Sequence, residues 1–206
     1  MIKQILLFDI DRTIFDTDRM SKVREELMCD LLKIDIAKLQ EIKSDYKKTL
    51  TNEREFNPDD FIKILCKKIN FNDEKSLLDF YFGDKYKYFY KDAVYPEFFE
   101  VVEKLKDSFR FGIYSEASKK FREHKFENMG ISKYFNPDLI FFADAKDTPE
   151  VVSKLPRGAI VVDDKEKICE FLTKNNIKAI WLNKIDDRES DRFKTIHNLS
   201  DLPDYL

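Results

Sequence analysis

The 206-residue chain is 43% hydrophobic, 14% aromatic and 37% charged, with a formal net charge of −3. That is enough bulky apolar material for one domain with a sizeable insertion, or for two small domains. The near balance of charge argues against a nucleic-acid binder held by a basic face, and no apolar run approaches the ~18 residues of a membrane span.

Met1-Ile2-Lys3-Gln4 lead directly into a strand pattern rather than a signal sequence, so the expected location is cytoplasmic. The three cysteines, Cys29, Cys66 and Cys169, are odd in number and embedded in helical patterns. They read as buried free thiols, not as a disulfide framework or a zinc site.

The first element is the apolar run Ile5 to Phe8, a short buried strand that runs into Asp9-Ile10-Asp11-Arg12-Thr13. If extended geometry persists past Phe8, Asp9 and Asp11 face one small volume. Two carboxylates so placed repel unless a cation or a shared proton intervenes. The pattern fits a metal or nucleophile site, and it also fits an acid-rich turn that caps a helix.

The texture then becomes helical. Met20, Val23, Leu27, Leu31 and Ile34 mark one face, and Leu39, Ile42, Tyr46 and Leu50 mark another. Asn57-Pro58-Asp59-Asp60 is a helix start with cap, proline and acids in order, continued by Phe61, Ile64, Leu65 and Ile69. Asn72 or Asp73 caps a further helix that runs to Gly83. The aromatic stretch Tyr86 to Tyr95 reads as packing rather than a substrate box. No strand pattern occurs between Phe15 and Val94.

From Tyr95 the elements alternate. Pro96 opens a helix to about Lys106, with Phe99, Val102 and Leu105 on one side. Phe109 to Tyr114 is a strand ending at Ser115, and Lys119 to Met129 is a helix closed by Gly130. Leu139 to Ala143 is a strand, followed by a helix near Pro149. Ala159 to Val162 is a strand ending at Asp163-Asp164, Lys165 to Asn175 a helix, and Lys178 to Leu182 a last strand. The tail from Asp186 carries little beyond a turn at Leu199 to Leu202. Such alternation predicts an α/β fold, a Rossmann-like parallel sheet with helices on both faces. The plan is discontinuous: residues 1–15 and 93–206 form the α/β core, and 16–92 form an inserted all-helical cap.

Ligands of open parallel sheets bind at the carboxyl ends of the strands. Those ends carry Asp9 and Asp11, Ser115, Lys146, and Asp163 with Asp164. Each has a plainer reading alone: Ser115 as a helix cap, Lys146 as a solvated surface lysine, Asp163-Asp164 as acids at a helix N-terminus. Their coincidence at one sheet edge favours chemistry. His124 and His197 have no partner in sequence and read as surface residues.

Phe8-Asp9-Ile10-Asp11-Arg12-Thr13, Ile113-Tyr114-Ser115, Lys146-Asp147-Thr148-Pro149 and Val161-Val162-Asp163-Asp164 together resemble the motifs of the haloacid dehalogenase superfamily, in order and spacing. The likeness is to members with a helical cap inserted after the first strand. It implies a Mg²⁺-dependent phosphatase acting on a small-molecule phosphate ester through an aspartyl-phosphate, with the cap closing over the substrate. By the same resemblance Asp9 is the nucleophile and Asp11 the general acid and base. Ser115, the backbone N–H of Glu116 and Lys146 bind the phosphoryl group. Asp9, Asp11, Asp163 and Asp164 supply the metal site.

Family dehalogenases lack an acid at the position of Asp11, which favours ester chemistry. Arg12, where most relatives have glycine, and Glu116, where asparagine or glycine is common, depart from the pattern and leave the substrate undefined. A phosphomutase or phosphotransferase using the same residues, and a non-catalytic binding protein that keeps the fold, are the competing readings. Neither nucleic acid nor membrane is an expected partner, and no partner protein is indicated.

Overall fold

The computed structural model describes residues 3–50, 56–116 and 118–206. Met1 and Ile2 of the opening strand pattern lie outside them. The chain gathers into two compact units, one of Met1–Asp16, Val94–Glu116 and Ile131–Leu206, the other of Thr17–Ala93 and Ala117–Gly130. Among the described residues no helix is long and apolar enough to cross a membrane.

The first unit is built on six parallel strands: β1 (Gln4–Phe8), β2 (Phe109–Glu116), β3 (Ile140–Ala143), β4 (Ile160–Asp163), β5 (Lys178–Leu182) and β6 (Lys194–Ile196), in the order β3-β2-β1-β4-β5-β6. The predicted α/β fold is therefore present, with β1 central and neighbours drawn from distant sequence. That arrangement puts the ends of β1, β2 and β4 beside one another. Leu7, Tyr114, Val161, Ile168 and Trp181 belong to one buried cluster. Phe8 packs edge-on against Phe98, with ring centres 5.9 Å apart. At Gly112 of β2 a Cβ would fall 2.3 Å from the Leu139 carbonyl and 2.6 Å from the Leu7 side chain, so close packing of strand on chain requires glycine there.

The helix that opens at Pro96 (Pro96–Leu105) buries Phe98, Val101, Val102 and Leu105. Phe99, expected on that face, is 38% exposed. A 3.6-residue period leaves adjacent positions 98 and 99 hard to separate, and the broader contact on β1 selects Phe98. β6 escaped the sequence reading because three residues, Lys194-Thr195-Ile196, carry too little alternation. Pairing with β5 and the bond from the Asn183 N–H to the Ile196 carbonyl (2.9 Å) fix it.

The second unit is helical among its described residues: α1 (Thr17–Leu32), α2 (Ile36–Lys48), α3 (Pro58–Ile69), α4 (Glu74–Phe82), α5 (Lys87–Asp92) and a later helix, Lys119–Asn128. Asn57 caps α3 by accepting the Asp59 N–H at 3.0 Å, and Asp73 caps α4 through the Ser76 N–H at 3.1 Å, so both predicted starts are made by side chains.

The sequence plan assigns 117–130 to the α/β core, but this segment's contacts gather with the helices. Lys120 holds Asp59 of α3 at 2.9 Å, and the Phe121 ring meets Tyr81 and Phe82 of α4. His124 is likewise not a free surface group. Its ring lies against Phe82 and Tyr90, and its Nε2 is buried. His197 donates from Nδ1 to the Asn183 carbonyl, 2.9 Å away. Of the three thiols, Cys66 and Cys169 are buried and Cys29 is partly buried; all are free.

Candidate active site

Asp9 follows the last residue of β1, and its N–H donates to the Val162 carbonyl of β4 at 2.9 Å, which seats it beside the end of that strand. The chain does not stay extended beyond this point. The Ile10 carbonyl accepts the N–H groups of Ile14 (3.1 Å) and Phe15 (3.0 Å), closing a turn in which Arg12 is left-handed at φ 59°. Asp11 therefore sits in the turn, half-buried and bridged to Phe15, rather than two residues along a strand from Asp9. Ser115 is buried in β2, two residues beyond Ile113, which pairs with Phe8.

Lys146 reaches the same place from the loop after β3, with no exposed surface at all. Its ammonium donates to Asp9 Oδ1 at 2.7 Å and also to Asp163 Oδ2. Carboxylate oxygens of Asp9, Asp163 and Asp164 all lie within 4.8 Å of one another. The fold thus brings Asp9, Lys146, Asp163 and Asp164 together. Asp11 and Ser115 occupy the same edge of the sheet but stand outside the group of three carboxylates.

Four further contacts were not legible in the motifs. Glu116, at the end of β2, accepts the Lys146 backbone N–H with Oε2 (2.9 Å) and the Lys165 ammonium with Oε1 (2.8 Å). Tyr114, two residues earlier and so on the same side of the strand, donates its hydroxyl to the Lys146 carbonyl at 2.6 Å. The Lys165 N–H donates to Asp163 Oδ1 at 2.9 Å. Both oxygens of Asp163 are therefore engaged by lysine groups, whereas Asp164 Oδ1 is buried with no hydrogen-bond partner among the described residues. The i, i+2 spacing of Tyr114 and Glu116 was the one available signal; nothing in sequence says which loop they would meet.

Charge explains the titration of these groups. Burial, then the neighbouring Asp9 and Asp163, push the Asp164 carboxyl up to about 7 against the pull of Lys146 and Lys165. Burial also raises Asp163, to about 6, with Lys146 opposing and Asp9 adding to the rise. Burial would discharge Lys146, but Asp163 and Asp9 outweigh it and hold the ammonium firmly protonated. Glu116 is likewise penalised by burial, and its bonds from Lys165 and the Lys146 N–H bring it below the ordinary carboxylate range.

Two ammonium groups thus face the four carboxylates of Asp9, Glu116, Asp163 and Asp164. A set of hard oxygen donors with one unpartnered, buried carboxylate oxygen and excess negative charge suits a small divalent cation such as Mg²⁺.

No protein-family model matches the chain, and no curated protein sequence does. Solved structures match it end to end. The HAD-hydrolase YfnB of Bacillus subtilis, bound to magnesium, superposes with a TM-score of 0.68 at 16% identity, over 100% of this chain and 99% of that one. A HAD phosphatase of Thermococcus onnurineus gives 0.66 at 20% identity, over 98% and 97%. The L-2-haloacid dehalogenase RSc1362 gives 0.62 at 18% identity, over 100% and 99%. The chain has the fold of the haloacid dehalogenase-like hydrolases, on which both phosphatases and dehalogenases are built.

Proposed function

We propose that the protein is a Mg²⁺-dependent phosphomonoesterase that hydrolyses a small phosphorylated metabolite through an aspartyl-phosphate on Asp9. The observation that carries this reading is the gathering of Asp9, Asp163 and Asp164 around one buried lysine, with Asp164 Oδ1 left unpartnered. Asp9, the Asp11 carbonyl and Asp164 would hold the ion, while Asp163, with both oxygens engaged, anchors Lys146 instead. When bound, Mg²⁺ supplies charge that lets a phosphate dianion approach carboxylates and that stabilises the transferring group.

Asp9 attacks phosphorus, and the P–O bond to the alcohol breaks. Asp11 gives its proton to the departing oxygen. Water then attacks the phosphorus of the aspartyl-phosphate and passes a proton back to Asp11, and the bond to Asp9 breaks to release inorganic phosphate. Lys146 fixes the Asp9 carboxylate and offsets charge growing on the phosphoryl oxygens, which Ser115 and the Glu116 N–H also bind. In this reading the helical unit is the cap that sets specificity. Asp11 favours ester hydrolysis over carbon–halogen cleavage, because an acid at that position serves a leaving alkoxide and has no task with a leaving halide.

The test is release of p-nitrophenol and inorganic phosphate from p-nitrophenyl phosphate, with Mg²⁺ and with EDTA. Turnover should need the metal and should vanish in Asp9→Asn, whose circular dichroism should match the parent. Metal-independent halide release from a 2-halo acid, without phosphate release, would replace this reading by dehalogenation.

A further inference from the structure

Lys146, Glu116, Lys165 and Asp163 form a closed circuit with a reciprocal design. Lys146 gives its backbone N–H to Glu116 and its ammonium to Asp163; Lys165 gives its ammonium to Glu116 and its backbone N–H to Asp163. The circuit ties the end of β2 to the loop after β3 and to the start of the helix after β4, and Asp9 hangs from it through Lys146 Nζ at 2.7 Å. Tyr114 pins the other side of residue 146 through its carbonyl. A lysine has four side-chain torsions and a large rotamer entropy. An ammonium fixed between two carboxylates therefore also needs its backbone fixed, because a shift at Cα is transmitted to Nζ.

We propose that Glu116 and Lys165 are positioning residues that hold Lys146 at Asp9. Neither touches the reacting atoms in this role, which Glu116 performs with its side chain, apart from any use of its N–H. The inference deepens the phosphatase reading and rests on it for its kinetic consequence, not for its structural one. Glu116 and Asp163 each bond both lysines, and the Glu116 carboxylate is the one to test because it lies outside the group of three clustered carboxylates. Glutamine at 116 keeps an acceptor for the Lys146 N–H and gives up only the ion pair. Lys165 is partly exposed (42% of its side chain), so its ammonium can turn to water when released.

The experiment compares Glu116→Ala, Glu116→Gln and Lys165→Met in the full chain, by steady-state kinetics on p-nitrophenyl phosphate and by hydrogen exchange at the Lys146 amide. Glu116→Ala should lower kcat by about 10- to 100-fold, the usual cost of losing a residue that orients a site. KM should change by less than about threefold, because an orienting contact acts on the transition state. The Lys146 amide should exchange faster. Glu116→Gln should restore amide protection and most of kcat, and Lys165→Met should fall between. Wild-type kcat and wild-type protection in Glu116→Ala overturn the proposal, as does a Glu116→Gln no better than alanine. If Glu116→Ala does not fold, Lys165→Met decides, and an unchanged kcat with unchanged exchange there is equally fatal. A parent protein inactive on every phosphomonoester defeats the phosphatase reading alone, and the exchange comparison still settles whether Glu116 fixes residue 146.

Discussion

Both units bury cations, and two of these, Lys146 and Arg24, are treated differently. Lys146 in the α/β unit is met by full charges, Asp9 and Asp163, with Asp164 nearby. Arg24 of α1 in the helical unit is 7% exposed and is met by dipoles and ring faces. Its Nε donates to the Phe80 carbonyl at 3.3 Å, and its guanidinium lies 4.1 Å from the centre of the Tyr81 ring and 5.6 Å from that of Phe121. The Arg24 arrangement ties α1 to α4 and to the helix Lys119–Asn128 and stores little electrostatic tension. The Lys146 arrangement has more negative charge than its cations neutralise, which is costly for a structural joint and useful for an ion or a phosphoryl group. Burial alone does not separate an anchor from a site; the balance of charge around the buried group does.

The sharpest way to break that distinction is to remove each cation. Lys146→Met should lower kcat by about 10²–10³-fold, as for loss of a donor aimed at developing charge. It should also cost about 3–5 kcal/mol in urea unfolding at pH 7.5, the usual result of stranding buried partners. Arg24→Met leaves no buried charge behind and should cost about 2 kcal/mol, from one charged hydrogen bond and its ring contacts. A larger loss for Arg24→Met than for Lys146→Met would reverse the assignment of anchor and site.

The units should also respond to pH with opposite sign. Asp163 and Asp164 have folded pKa values raised to about 6 and about 7. Without metal, the folded state binds protons there that the unfolded chain releases near pH 4. The α/β unit should therefore lose stability as pH rises through 6 and 7, by on the order of 2 kcal/mol. Mg²⁺ must displace those protons, so its stabilising effect in thermal unfolding should be greater at pH 8 than at pH 5.5.

His124 in the helical unit is lowered by burial and by Lys87 and Arg24, with Glu127 and Asp84 opposing. Its unfolded form takes up a proton first, so this unit should weaken as pH falls below 6.5. Hydrogen exchange at pH 5.5 and pH 8, read separately for 17–93 and for the strands, would test both slopes. A common slope in both units would remove the contrast.

The part of the site that was legible in sequence consists of strand ends. A parallel sheet sends all its carboxyl ends to one edge, so Asp9, Lys146, Asp163 and Asp164 could be grouped from predicted strands alone. Glu116 was read for its N–H, but its side chain holds two loops together. That contact depends on which loop passes over β2, and no local pattern encodes it. Lys165 looked like an ordinary first residue of a helix for the same reason.

The helical unit was legible where capping chemistry is local, at Asn57 and Asp73. It was illegible where long-range packing decides, as at His124 and across 117–130. The β6 strand was missed because its pairing partner, not its composition, makes it a strand.

The smallest effect concerns backbone strain, which both units carry. Lys33, just past α1, is left-handed at φ 54°, and the Ile34 N–H returns to the Cys29 carbonyl at 3.3 Å. Glycine is favoured at such a helix end. Arg12 is left-handed at φ 59° between Asp11 and Thr13, with its N–H given to the Phe15 carbonyl at 2.8 Å. Lys33→Gly should gain about 0.5–1 kcal/mol, the relief of a side chain in that region less the added freedom of the unfolded chain. Arg12→Gly relieves the same backbone conformation and should gain as much if the side chain contributes nothing to the folded state. A gain at 33 with a loss at 12, read from urea midpoints at constant m, would mean that the arginine side chain makes contacts worth more than its strain. Arg12 would then be held in its conformation by the site beside it, as strained residues at functional positions are, whereas Lys33 merely ends a helix.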